Sequence, residues 1–230
     1  MNAKTIPVEK GKKTDRLKDI SKAHVVYKLK DGTRVPGTTT ITGQLNKPQL
    51  ILWANKLGLE GIDSSKYVDE SAKIGTLAHA MIQADLQKTG IDKRAYSAEQ
   101  IDLAENSILS WYEYKKNHSI EPLVCEIPMV SEKMKYGGTV DCYCMLDGVP
   151  TLLDFKTGKA VYDEYFVQLA AYKNILEEAG HPVQVCKILR VGRDETEGFE
   201  ERTVTDTREY FEIFKALLTI YYSKKKLGWR

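Results

Sequence analysis

The chain has 230 residues, 42% of them hydrophobic and 29% charged, enough for a sizeable core and within the usual span of one domain. No apolar run approaches the ~20 residues of a bilayer span, and the polar stretch from Lys10 to Lys22 lacks the apolar segment of a signal peptide, so an intracellular protein with no membrane partner is expected. The formal net charge of +2 does not by itself argue for nucleic acid. Charge is unevenly placed, however: nine Lys/Arg stand against three acids from Met1 to Lys30, and the other end carries Lys224, Lys225, Lys226 and Arg230. Such ends either track phosphates or are simply solvated. Cys125, Cys142, Cys144 and Cys186 form no CxxC pair, which excludes a zinc knuckle or redox motif and leaves reduced, mostly buried thiols.

In chain order, residues 1–22 lack periodicity and read as a flexible basic arm, leaving 23–230 for the single domain. His24 to Leu29, an Asp31-Gly32 turn and Thr33 to Val35 read as a short hairpin, with Asp-Gly supplying the positive φ angles of a tight turn. After Thr38-Thr39-Thr40, Pro48 opens a helix toward Leu57, where its missing N–H costs nothing. A longer helix over Tyr67–Lys88 sets Ile74, Leu77 and Met81 on one face and stops at Gly90. Ser97 with Gln100 forms a capping box for the next, whose stripe is Ile101, Ala104, Ile108 and Trp111.

From Leu123 the pattern changes to three strands, Leu123–Val130, Gly138–Leu146 and Thr151–Phe155. A helix over Glu164–Ala179 follows, halted by Gly180 and Pro182, then a strand at Val183–Val191 and a second around Arg202–Val204. Asp206 with Glu209 is expected to cap a last helix bearing Tyr210, Phe214, Leu217 and Tyr221. The order implies a mixed α/β core flanked by helices, with a helical N-terminal addition.

The densest chemistry lies in Gly138-Thr139-Val140-Asp141 and Leu152-Leu153-Asp154-Phe155-Lys156. Alternation on a strand puts Asp154 and Lys156 on one side and Leu153 and Phe155 on the other. Asp141 shares a face with Thr139 and Tyr143, leaving Val140, Cys142 and Cys144 as the apolar opposite face. Carboxylates on adjacent strands can converge on one hard cation, and a neighbouring lysine suits phosphodiester hydrolysis; a surface ion pair on an edge strand fits the same pattern. His79, four residues after Gly75, is either an additional metal ligand or a satisfied helix histidine. Gln168 and Tyr172, at i and i+4, offer donors for phosphate oxygens, although Tyr165, Leu169, Tyr172 and Leu176 also read as a core stripe. Glu126 could add a carboxylate or be an ordinary exposed strand acid.

Gly75 to His79, Gly138 to Asp141, Asp154-Phe155-Lys156 and Gln168-Leu-Ala-Ala-Tyr172, in that order and with 13 residues from Asp141 to Asp154, resemble the motif set of the RecB-like branch of the PD-(D/E)xK nucleases. That branch includes the RecB nuclease domain, the mitochondrial genome maintenance exonuclease and small phage-encoded exonucleases. The resemblance spans about Val25 to Val191 and implies a restriction-endonuclease-like sheet. It also implies a Mg²⁺- or Mn²⁺-dependent DNA exonuclease of phage or prophage recombination, repair or processing, beside a single-strand-annealing partner. On it, His79, Asp141, Asp154 and the main-chain carbonyl of Phe155 are metal ligands, Lys156 is the catalytic lysine, and Gln168 and Tyr172 position DNA. Val140 stands where the motif has proline, and no cysteine follows Cys186, so no iron–sulfur cluster is expected. Thr157-Gly158-Lys159 lacks the upstream glycine of a P-loop. The alternative is a non-catalytic DNA-binding or assembly module that keeps the fold.

Overall fold

The computed structural model describes residues 25–229; the basic arm, His24 and Arg230 lie outside them. Short strands β1 (Tyr27–Lys28) and β2 (Arg34–Val35) precede helices α1 (Thr38–Thr42), α2 (Pro48–Leu59), α3 (Ser64–Gln87) and α4 (Ala98–Lys116). Strands β3 (Ile120–Ser131), β4 (Tyr136–Leu146) and β5 (Val149–Lys156) follow, then α5 (Glu164–Glu178), β6 (Val185–Val191), β7 (Phe199–Val204) and α6 (Arg208–Lys226). The last five strands form one sheet in sequence order, antiparallel from β3 to β5, parallel from β5 to β6 across the α5 crossover, and antiparallel again to β7. This is the expected mixed α/β class, a five-stranded sheet flanked by helices. Among the described residues no helix is long and apolar enough to cross a membrane.

Two apolar layers cover the sheet. Leu153, Phe155, Cys142 and Cys144 pack with Ile74, Leu77 and Met81 of α3 and Trp111 of α4. On the other face Leu152, Val140, Tyr143 and Ile188 pack with Leu169, Tyr172 and Leu176 of α5. Beyond α5, the α6 residues Phe214, Leu217 and Leu218 meet Ile41 of α1 and Val167, Ala171 and Ile175. Trp111, fully buried, keeps its polar edge satisfied because Nε1 donates to Asp85 at 2.7 Å. All four cysteines are free and buried.

Several local expectations change. The Asp31-Gly32 turn is wider than a two-residue hairpin: Gly32 has φ +85° but Asp31 does not enter the left-handed region, and Leu29 donates to Thr33 around a five-residue loop. Helix α3 begins earlier, at Ser64, because the Asp63 side chain accepts from the Ser65 and Lys66 amides. It ends before Gly90, with Lys88 in the left-handed C-cap conformation at φ 55°. Asp206 does not cap α6; its carboxylate is taken by the Arg208 guanidinium and amide, and Thr207 stands at the cap position with no side-chain bond.

Alternation also breaks on β4. Val140 lies with Tyr143 on the α5 face, whereas Cys142 and Cys144 face α3 and α4, so Val140 does not share a face with those cysteines. The register pairs Cys125 with Cys142 and Ile127 with Val140, which sets Glu126 opposite Asp141. Glu126 has φ +52° in mid-strand, and that left-handed residue rotates the pleat where the faces exchange.

The N-terminal segment is fastened to the start of β4. Gly137 donates to Pro36 O at 2.9 Å, Thr38 Oγ1 donates to Gly137 O at 2.9 Å, and the Tyr27 hydroxyl lies 3.0 Å from Thr139 Oγ1. These approaches need bare backbone: a Cβ on Gly137 would meet the Tyr27 ring at 2.3 Å, and one on Gly138 the Tyr172 ring at 2.4 Å. Gly138→Ala should therefore destabilise the fold by about 1–3 kcal/mol through overpacking. Gly58→Ala, on open helix surface, should be neutral or gain up to about 1 kcal/mol. Urea unfolding of the two variants checks this; equal midpoints would show that Tyr172 yields freely.

Candidate active site

Four elements converge on a cleft of about 760 Å³. Helix α3 contributes His79, β3 Glu126, β4 Asp141 and Thr139, and the end of β5 Phe155, Lys156 and Thr157; Tyr165, Gln168 and Tyr172 of α5 and Thr38 to Thr40 complete the walls. The parallel β5–β6 pairing with its α5 crossover places the end of β5 beside the helix that carries Gln168 and Tyr172.

His79, Glu126 and Asp141 each offer a ligand atom within 4.8 Å of the others. His79 Nδ1 lies 3.6 Å from Asp141 Oδ2 and 4.0 Å from Glu126 Oε1. Asp141 is 9% exposed, and its Oδ2 also accepts the Phe155 amide at 2.9 Å, which ties the side chain of β4 to the backbone of β5. Thus two of the predicted ligands, His79 and Asp141, come together, and Glu126 joins them. Its only sequence signal was an acid on the preceding strand; the register and the left-handed backbone that aim it are not legible there.

Asp154 is not one of these three. It is 1% exposed, its Oδ2 touches the Lys156 ammonium, and neither carboxylate oxygen has a hydrogen bond of good geometry. Burial, aided by the nearby Asp141 charge, pushes its carboxyl up to about 6 even though Lys156 pulls the other way. Burial alone lowers the Lys156 pKa, but the Asp154 and Asp141 carboxylates overcome it and keep the ammonium charged. Lys156 also sits 4.8 Å over the Tyr165 ring. Leu153 and Phe155 occupy the opposite face, as alternation predicts.

Gln168 Nε2 donates to the Tyr172 hydroxyl at 2.7 Å, and both residues line the cleft. Tyr172 also belongs to the α5 core cluster, so both readings of that residue hold: its ring is packed, and its hydroxyl stays protonated because burial raises its pKa. Two residues singled out by no motif role also stand here. Thr157 lines the cleft, and Arg193, between β6 and β7, donates to its hydroxyl at 2.8 Å.

A histidine nitrogen with carboxylate oxygens suits Mn²⁺ or Mg²⁺, and Asp154 Oδ1, buried without a hydrogen-bond partner among the described residues, is compatible with the same need. Two carboxylates 4–5 Å apart repel by about 3–4 kcal/mol at an effective dielectric near 20, which a bound cation reverses.

No family model matches the chain, and no curated protein matches it. Among solved structures, it is similar to an alkaline exonuclease (LHK-Exo) from Laribacter hongkongensis, with 14% identity and a TM-score of 0.34, over 66% of this chain and 83% of that one. The same enzyme in complex with dAMP gives 13% identity and a TM-score of 0.35 over the same shares.

The Asp154 shift has a thermodynamic signature. A carboxyl whose folded pKa is raised from 3.8 to about 6 favours folding fully only below its unfolded pKa, and that contribution is lost as pH rises through the folded value. In metal-free buffer, the stability of Asp154→Asn relative to wild type should therefore climb by about 2–3 kcal/mol from pH 4 to pH 7 and then level. Urea unfolding across that range measures it; a flat difference would show that Asp154 titrates normally.

Proposed function

We propose that the chain is a divalent-metal-dependent deoxyribonuclease, a single domain over residues 23–230 that degrades DNA from an end. The observation that carries this reading is the meeting of His79, Glu126 and Asp141 within 4.8 Å beside the buried Asp154–Lys156 pair, at the wall of an open cleft. A surface ion pair does not account for it, since Asp154 is 1% exposed.

In this proposal His79, Asp141, Asp154 and the Phe155 carbonyl hold the cation, with Glu126 as a further ligand. Bound there, a divalent cation would supply charge neutralisation at the phosphate and a more acidic water. Lys156, kept charged by its carboxylate neighbours, orients that water and stabilises the charge that develops on the phosphate. The Asp141 bond to the Phe155 amide holds two ligand-bearing strands in register before substrate arrives. Gln168 and Tyr172 offer hydrogen bonds to the DNA backbone without reading bases.

Cleavage of linear DNA should require Mg²⁺ or Mn²⁺ and stop in excess chelator. Asp141→Asn and Asp154→Asn should abolish it without unfolding the protein, because each removes a charge at nearly constant volume. Lys156→Ala should lower the rate by about two to three orders of magnitude while metal-dependent DNA binding persists. Covalently closed circular DNA should survive conditions that consume the same molecule once linearised. Gel assays with end-labelled and circular substrates decide these points: cleavage in chelator overturns the metal chemistry, and rapid opening of circles overturns action from ends. Binding of Mn²⁺ and DNA without any cleavage is the result expected of a non-catalytic module.

A further inference from the structure

The β6–β7 connection touches a cleft-lining residue, Thr157, through one side chain. Arg193 Nη2 donates to Ser71 O of α3 at 2.9 Å and to Thr157 Oγ1 at 2.8 Å. Its own backbone is fixed as well, the amide donating to Glu197 Oε2 at 2.9 Å and the carbonyl accepting from Asn106 of α4 at 3.2 Å. The guanidinium thus joins the helix that carries His79 to the residue that follows Lys156. Gly75, one turn before His79, makes the junction possible: a Cβ there would lie 3.0 Å from Thr157 Oγ1 and 3.3 Å from Arg193 Nη2.

The polarity of the junction matters. Thr157 is 8% exposed and lines the cleft. Its oxygen is the acceptor toward Arg193, so the hydroxyl proton is left to donate, and no acceptor among the described residues takes it. Accepting from a guanidinium also polarises an O–H and makes it a better donor. The ligand such a buried donor suits, at a wall shared with Lys156, is a non-bridging phosphate oxygen.

We propose that Thr157 is a substrate-binding residue for the scissile or adjoining phosphate, and that Arg193 is its positioning residue, which also sets the gap between α3 and the end of β5. The inference rests on the nuclease reading above for the identity of the phosphate, while the gap itself does not. Arg193 does not line the cleft, and its role runs through Thr157 and Ser71.

The test compares Thr157→Val, Thr157→Ser, Arg193→Ala and the double variant Thr157→Val/Arg193→Ala. It measures kcat and KM on linear DNA with Mg²⁺, thermal unfolding, and Mn²⁺ affinity by calorimetry. Thr157→Val should lower kcat/KM about tenfold to a hundredfold, the usual effect of deleting one hydrogen bond to a charged group. Thr157→Ser, which keeps the hydroxyl, should recover most of that loss. Arg193→Ala should cause a similar loss, and the double variant should be no worse than the poorer single one, because both changes break one unit. Losses that multiply, or a serine variant as poor as valine, overturn the role of Thr157. If wild type binds Mn²⁺ yet cleaves no DNA, the nuclease reading fails and the phosphate role of Thr157 falls with it. Calorimetry then decides the clamp: Arg193→Ala should weaken Mn²⁺ about tenfold by freeing α3, whereas Thr157→Val, with Ser71 still held, should not. Unchanged Mn²⁺ affinity in Arg193→Ala refutes the clamp in either case.

Discussion

Crowding of carboxylates is the constraint around which this molecule is arranged. Asp141 and Glu126 share a space of under 5 Å with His79, and the Asp141 charge is felt by Asp154, which is nearly fully buried. Left alone, such a group would neutralise itself by protonation or swing toward water. Here the swing is blocked. The Phe155 amide grips Asp141, Lys156 abuts Asp154, and a left-handed backbone fixes Glu126. A non-glycine residue in that conformation costs of order 1–3 kcal/mol, and it persists because the strands on either side over-determine it. The fold therefore stabilises a charge arrangement that is unfavourable without a cation.

The same constraint explains why the sheet departs from regular pleating at this place. With strict alternation, Val140, Cys142 and Cys144 would bury on one face and Asp141 would point wholly to the other. Exchange of faces between Val140 and Cys142 puts Asp141 at the transition, within reach of His79 from the α3 side, while on the α5 side burial, then the Asp154 charge and then that of Asp141 raise the pKa of Tyr172. One irregular residue opposite Asp141 thus lets both helical layers address a single carboxylate. Bulged and rotated strands re-aim side chains in this way at many functional sites.

How much of this was legible in the sequence depends on the range of the interaction. That Asp154 and Lys156 share a strand face was legible because a two-residue period is local and the strand is regular; the helical faces of α3, α4 and α5 were legible for the same reason. The capping box at Ser97 and Gln100 is present as read, a three-residue pattern with its own geometry. The cap at Asp206 failed because an equally local rival, the Arg208 guanidinium two residues on, took the carboxylate. Thr157 and Arg193 were illegible, and Glu126 was legible only as a strand acid that could add a carboxylate. The contacts that bring them to the site span 36 to 122 residues or are fixed by register, and no periodicity encodes which strand residue will stand opposite Asp141.

Glycine placement reconciles these local and distant signals. Gly75 and Gly138 open segments that the sequence marks and Gly137 adjoins one, yet none of the three has the positive φ that usually explains a glycine. Each instead removes a side chain where another element must touch backbone: Thr157 and Arg193 at Gly75, Tyr27 at Gly137, Tyr172 and Thr38 at Gly138. These three contacts join α3 to the end of β5, the N-terminal segment to β4, and α5 to β4. They are the joints between the elements that carry His79, Lys156, Asp141 and Gln168. Position in such a cleft is set less by the side chains that line it than by the absence of atoms between the elements that bear them.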